Sequence, residues 1–246
     1  MNKLRVTSNG KSTYDAVISA FKLLDSNNQK AGLFSVIGNH ALLFADEYVE
    51  MLIGINNLRF VKINPLFDSE PGALGQNSIS PSEFTQFLKA VMKSYINHKA
   101  YVKFAIEPIL SLIQMVTGSD SKYCNYNSRK CLNFTSIYPD GRMGICDTFS
   151  LKEFPVTIDN AIGYQKSLQK IAKSSPFNKL NELIEECNNC DIYNECRGGC
   201  LSQRYYFKNN IPDLYDDYCK HRKEMLDFVR GIIVKNDKLE LLHGKK

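Results

Sequence analysis

The sequence predicts an α/β protein in two parts. Helical and strand patterns alternate through residues 1–118, and short apolar runs bounded by glycine or proline punctuate them. All eight cysteines fall after residue 123, where the pattern changes to a hairpin followed by helices. Alternation of this kind gives parallel strands joined by crossover helices, in an open sheet or a piece of a barrel.

The first predicted element is a helix over residues 12–29. Ser12 and Asp15 have capping-box spacing, and Ala16, Val17, Ala20, Phe21 and Leu24 recur at helical intervals. Residues 31–38, AGLFSVIG, read as a buried strand, 45–55 as a helix, and 58–65 as a strand closed by Pro65. Residues 66–79 are rich in Gly, Pro and Ser and read as a long functional loop or lid. Ser80, Pro81 and Glu83 then give a cap, a first-turn proline and a capping-box acid for a helix to about residue 98. A strand over 101–108 and a helix over 110–118 complete this part.

The cysteine-rich part begins near Lys122. Pro139, Asp140 and Gly141 mark the turn of a hairpin that would draw Cys131 and Cys146 together. Helical patterns return at 162–173 and 176–186, a helix starts after Cys200, and an amphipathic helix covers 220–234. The expected division is 1–118, 119–220, and a helix with tail over 221–246.

A chain of 246 residues with 43% hydrophobic content can bury a core. Its net charge of +5 comes without a Lys/Arg block, which argues against nucleic acid as a partner. The amino terminus lacks the apolar core of a signal peptide, and no run is long enough to span a bilayer, so the protein reads as cytoplasmic and not membrane-bound. In a reducing compartment, eight cysteines argue for metal over disulfides.

The stretch Cys187–Cys200, CNNCDIYNECRGGC, has the spacing C-x2-C-x5-C-x3-C. Such density lets soft thiolates converge on a metal centre. Gly198 and Gly199 would let the backbone pass close to a bulky group and offer amide donors to sulfur. Cys131 and Cys146 frame C-x9-G-x4-C around Gly141, Cys124 lies seven residues before Cys131, and Cys219 lies nineteen after Cys200. Two tetrahedral zinc sites would also use eight thiols, although zinc ribbons pair two close C-x2-C knuckles and here there is one.

The run C-x9–15-G-x4-C, gap, C-x2-C-x5-C-x3-C, gap, C resembles the SPASM domain of radical S-adenosylmethionine (SAM) enzymes, over roughly residues 124–220. The resemblance implies two auxiliary 4Fe–4S clusters with interleaved ligands. Cys124, Cys131, Cys146 and Cys200 would hold the first; Cys187, Cys190, Cys196 and Cys219 would hold the second. Each cluster would carry a net charge of about −2, nearly cancelling the chain's surplus.

The first part is similar to the later half of a radical SAM (β/α) barrel. LRVTSNGKSTYDAVISAFKLL resembles the family's segment of an arginine, a glycine and a helix, and FSVIG its following strand. Arg5 then matches an arginine that can reach the SAM carboxylate. The C-x3-C-x2-C triplet that chelates SAM through iron is absent from the sequence, so the chain looks like a radical SAM/SPASM enzyme without its front. SAM would enter only if a missing amino-terminal part, or a separate subunit, completed the site.

Asp147 follows Cys146 and matches an aspartate proposed to accept the substrate proton in sulfatase maturases. The alternative is a solvated or turn-capping carboxylate. Glu107 and Asp140 read as structural, the four histidines as surface groups, and Tyr205 and Tyr206 as packing. The resemblance implies a maturase of a ribosomally made precursor peptide or protein. A formylglycine-generating sulfatase maturase is the near alternative. A non-catalytic module for electron relay or peptide binding is the distant one.

Overall fold

The computed structural model describes residues 5–126, 131 and 134–235. The chain forms two compact units: residues up to Leu66 with Gln86–Leu110, and Phe67–Thr85 with everything from Ser111 onward.

The first unit is a three-stranded parallel sheet with helices. Helix α1 (Tyr14–Ser26) leads to β1 (Ala31–Ile37), α2 (Ala45–Ile53) and β2 (Leu58–Pro65); α3 (Pro81–Asn97) precedes β5 (Ala105–Glu107). The sheet order is β1-β2-β5, with Leu33 opposite Val61 and Val61 opposite Ile106. Val49, Leu52, Val61, Ile63, Val91 and Met92 are buried. Their apolar spacing on α2, β2 and α3 is what the sequence pattern required. The predicted capping box of α3 is present. The Ser80 N–H donates to Glu83 Oε2 at 2.8 Å, and the Glu83 N–H donates to Ser80 Oγ at 3.2 Å.

Three expectations need correction in this unit. The helix predicted from residue 12 begins at Tyr14, and its cap residue Thr13 makes no side-chain cap. Instead the Thr13 hydroxyl donates to the Arg5 carbonyl at 2.9 Å, and the residue before it, Ser12, is held in a bridge to Val6. The strand predicted to be buried, β1, alternates instead: Phe34 is 68% and Val36 59% exposed. As an edge strand it has one face covered and the other open. The strand expected over 101–108 is shortened to three residues, because a 3₁₀ turn takes Ala100–Val102.

The second unit opens with β3 (Ser69–Glu70) and β4 (Ala73–Leu74). The loop expected over 66–79 is thus a small antiparallel hairpin rather than a free lid. It is fastened to α8 (Leu201–Asn210): the Gly72 N–H donates to the Asn210 carbonyl at 2.8 Å, and Phe67 meets Phe207 edge-on at 4.9 Å. After α4 (Ile109–Val116) come β6 (Ser136–Ile137), β7 (Met143–Gly144) and β8 (Pro155–Val156). The hairpin predicted around Gly141 is β6–β7; the sequence pattern missed β8, which joins its other side. Helices α5 (Tyr164–Ile171), α6 (Ser175–Glu185), α7 (Tyr193–Cys196), α8 and α9 (Pro212–Lys235) follow. Their core contains Phe149, Phe154, Phe177, Leu180, Leu201 and Tyr205, together with Cys131. No helix among the described residues is long and apolar enough to cross a membrane.

The open face of β1 leads to a prediction. An exposed sheet edge carrying apolar side chains favours self-association. Covering a Phe or Val fully is worth ~1.5–3 kcal/mol. Phe34→Ser with Val36→Thr should therefore weaken self-association at least ~10-fold by light scattering; a wild-type chain that stays monomeric at high concentration would contradict it.

Candidate metal centre

The first group of thiols is built around a buried cysteine. Cys131 is 5% exposed and belongs to the aromatic core. Burial first, then the charges of Cys200, Cys146 and Cys124, push its thiol up to about 12, while the Leu201 amide pulls the other way. Like charges near a thiol disfavour its ionised form. The remaining three come from separate elements: Cys124 opens a 3₁₀ turn (Cys124–Tyr126), Cys146 follows β7, and Cys200 caps α8. Cys146 Sγ lies 3.2 Å from Thr148 Oγ1 and Cys200 Sγ 3.1 Å from Ser202 Oγ. Thr148 donates to Ser202 at 2.8 Å, which frees the Ser202 proton for the Cys200 sulfur.

The approach to Cys200 explains its two glycines. Arg197, Gly198 and Gly199 all have positive φ, at 54°, 80° and 73°. A Cβ on Gly199 would stand 2.4 Å from Tyr218 Oη. The bulky neighbour anticipated from the sequence is therefore the Tyr218 ring. The Cys200 N–H donates to Tyr218 Oη at 2.7 Å, so that amide is used on the tyrosine.

The second group joins the Cys187–Cys196 loop to α9. Burial raises the Cys187 thiol, Arg204 opposes it, and Cys196 and Cys190 raise it further. Cys219 shows the same balance, with burial first, then Arg204, Cys196 and Cys187. Two arginines accompany these sulfurs. Arg204 is 1% exposed and donates to Tyr215 Oη at 3.0 Å and to the Gly198 carbonyl at 3.3 Å, yet its Nε has no hydrogen-bond partner. Glu186 accepts from Arg204 at 3.5 Å and from Lys208 and Tyr215. Burial would raise the Glu186 carboxyl, but the bonds from Lys208 and Tyr215 outweigh it and hold it below its ordinary value. Arg222 donates from Nε to Cys196 Sγ at 3.0 Å and from Nη2 to the Cys196 carbonyl at 2.9 Å.

Cys131 thus lies in the field of Cys124, Cys146 and Cys200, Cys187 in that of Cys196 and Cys190, and Cys219 in that of Cys196 and Cys187. All eight are free thiols. Among the described residues, no group of three or more His, Cys, Asp or Glu side chains is arranged to hold a metal ion. A cubane cluster takes one thiolate on each of four irons, so its ligands are spaced by the cluster and not by one ion.

The other candidate residues lie at the surface. Asp147 is exposed, with Oδ1 3.6 Å from Cys146 Sγ. Arg5 is exposed, and its carbonyl receives the Thr13 hydroxyl. Asp140 is paired with Arg142 at 2.7 Å. One histidine was misread: His221 is 8% exposed and bonds Glu224 Oε2 at 2.6 Å. His40 and His98 are exposed, and His243 is outside the described residues. Arg204 and Arg222 were missed altogether. Their signal is positional: Arg204 falls one helical turn after Cys200 and Arg222 three residues after Cys219.

No family model matches the chain. It is 21% identical over 232 residues to a cysteine-type anaerobic sulfatase-maturating enzyme of Clostridium novyi, covering 92% of this chain and 60% of that enzyme. It is 22% identical to a serine-type anaerobic sulfatase-maturating enzyme of Klebsiella aerogenes, covering 82% of this chain and 49% of that enzyme. Both of these relatives are anaerobic sulfatase-maturating enzymes. The solved structure of native anSMEcpe with bound AdoMet shares the fold, at TM-score 0.68 and 17% identity over 93% of this chain and 62% of that one. A structure of the same protein with AdoMet and Kp18Cys peptide gives TM-score 0.65 at 18% identity, covering 95% and 65%. The chain spans about half to two thirds of the length of these sulfatase-maturase relatives and structures.

Gly199 tests the packing of the site. Gly199→Ala adds a clash with Tyr218 to the ~1–2 kcal/mol strain of a positive φ. Gly118→Ala carries that strain alone, since φ is +78° but nothing lies within 4 Å. The Gly199 variant should be at least ~1 kcal/mol less stable than the Gly118 variant, a Tm gap of ~2–4 °C by calorimetry; equal melting would remove the Tyr218 contact from the account.

Proposed function

We propose that this chain is the auxiliary-cluster portion of a radical SAM/SPASM maturase that modifies a peptide or protein. In this reading residues 119–220 form a SPASM-type domain, 1–118 part of a (β/α) barrel, and 221–246 a helix and tail. Cys124, Cys131, Cys146 and Cys200 bind one 4Fe–4S cluster, and Cys187, Cys190, Cys196 and Cys219 bind the other. The observation that supports it is a set of eight free thiols in which Cys131 feels the charges of Cys124, Cys146 and Cys200, while Cys187 and Cys219 feel that of Cys196.

The residues fit such groups. The donors are all sulfur, the choice of iron–sulfur chemistry. Ser202, whose oxygen accepts from Thr148, offers its hydroxyl proton to the Cys200 sulfur. The orphan Nε belongs to Arg204, the cation whose field acts on Cys187 and Cys219. When bound, clusters of this kind exchange single electrons. Asp147, exposed beside Cys146, would accept a proton from a bound peptide. Arg5 would serve SAM where an amino-terminal part or separate subunit supplies C-x3-C-x2-C. Its place of action is the cytoplasm.

Both cysteine-type and serine-type sulfatase-maturating enzymes are among the relatives, which favours formylglycine generation as the second reading. Anaerobically reconstituted protein should hold about eight iron atoms, and Cys196→Ala should lose about half. Iron and absorbance measurements check this. Two zinc per chain without iron-dependent absorbance would overturn the assignment.

A further inference from the structure

We propose that Arg222 is a positioning residue that raises the reduction potential of the centre held by Cys187, Cys190, Cys196 and Cys219. The inference rests on the cluster reading above and adds a residue to it. Arg222 comes from α9, one turn after Cys219, and its fork reaches two cysteine loops. Nε donates to Cys196 Sγ at 3.0 Å, and Nη2 donates to the Cys196 carbonyl at 2.9 Å and the Asn125 carbonyl at 3.0 Å. Its guanidinium also lies over Tyr126 at 4.8 Å and Tyr218 at 5.7 Å.

Three features make this contact more than a brace. The acceptor is the sulfur of a ligand, so the bond draws electron density from the atom that would bind iron. The described partners of Arg222 are a sulfur, two carbonyls and two rings, none of them a carboxylate. Its positive charge is therefore not cancelled locally. Arg204, by contrast, is paired with Glu186. A one-electron reduction takes the centre, ligands included, from a charge of about −2 to about −3, and an uncancelled cation at the ligand favours the more negative state.

The Asn125 contact adds a second consequence. The same guanidinium holds the loop after Cys124 and the loop ending at Cys196. A planar fork with several donors suits this role, and a lysine ammonium cannot reproduce it.

The test is a redox titration of the full reconstituted chain with dithionite, followed by electron paramagnetic resonance. Cys196→Ala identifies which signal belongs to this centre. Arg222→Gln should lower the reduced-to-oxidised ratio of that centre at least tenfold at a fixed poise, about 59 mV for a one-electron couple. The other centre should move less. Arg222→Lys, which keeps charge but loses the fork, should shift in the same direction by a smaller amount, and it decides the matter if the Gln variant loads less iron. Wild-type potentials in fully loaded variants would overturn the proposal, as would equal shifts at both centres. Loss of iron from both variants would overturn it too, since a tuning residue leaves the ligand set intact. Wild-type protein that takes up no iron would instead remove the reading underneath.

Discussion

Eight thiols gathered inside one small unit constrain everything else in it. Desolvation makes Cys131, Cys146, Cys187 and Cys219 harder to ionise, and neighbouring thiolates add to it. Cys131 shows the extreme, with its proton held to about pH 12 by burial and by three sulfurs around it. Left alone, such a group stays protonated and uncharged. A metal centre reverses the balance, because ligation requires thiolates and supplies the positive charge that repulsion demands. The local structure is arranged for the ionised form: Ser202 and the Leu201 amide face sulfur in one group, and Arg204 and Arg222 accompany the other.

Backbone geometry follows from the same constraint. The chain must bring Cys196 to one group and Cys200 to the other within five residues. It does so through three consecutive left-handed residues, Arg197, Gly198 and Gly199. Only glycine occupies such positions freely, and at Gly199 the Tyr218 ring leaves no space for a side chain. Tyr218 in turn takes the Cys200 amide and lies one residue before Cys219. One tyrosine thus ties the turn between the groups to the helix that completes the second.

Much of this could be read in the sequence because it is local. A capping box at Ser80–Glu83 and a Pro-Asp-Gly turn each act over a few residues, and both appear where the pattern put them. What escaped was tertiary. β1 has the composition of a buried strand, yet its neighbours cover one face only, leaving Phe34 and Val36 open. His221 has the look of a surface residue in a charged run, but helix rotation turns it inward against Glu224. Arg222 sits in the basic run Lys220–Lys223 and Arg204 in a polar-aromatic helix, so only their spacing from Cys219 and Cys200 hinted at burial. Pairing β8 with β7 depends on only two residues, too few for an alternating pattern to register.

The two groups are held in place by different forces. Cys131 belongs to the aromatic core, and Cys146 packs against it, so these two cysteines are set by apolar burial. The Cys187–Cys196 loop instead meets α9 through charges. Lys223 bonds Asp191 at 2.6 Å with side chains 44% and 72% exposed, and solvent screens such a pair. Arg230 pairs with Glu195 and also with Asp227, and is again part-exposed. That leaves Arg222, which makes its bonds to the sulfur and carbonyl of Cys196 in a more sheltered setting, as the contact best able to hold the loop against the helix. The residue that fixes this geometry is thus also the one whose charge falls on the Cys196 sulfur, so position and electrostatics at that sulfur share one side chain.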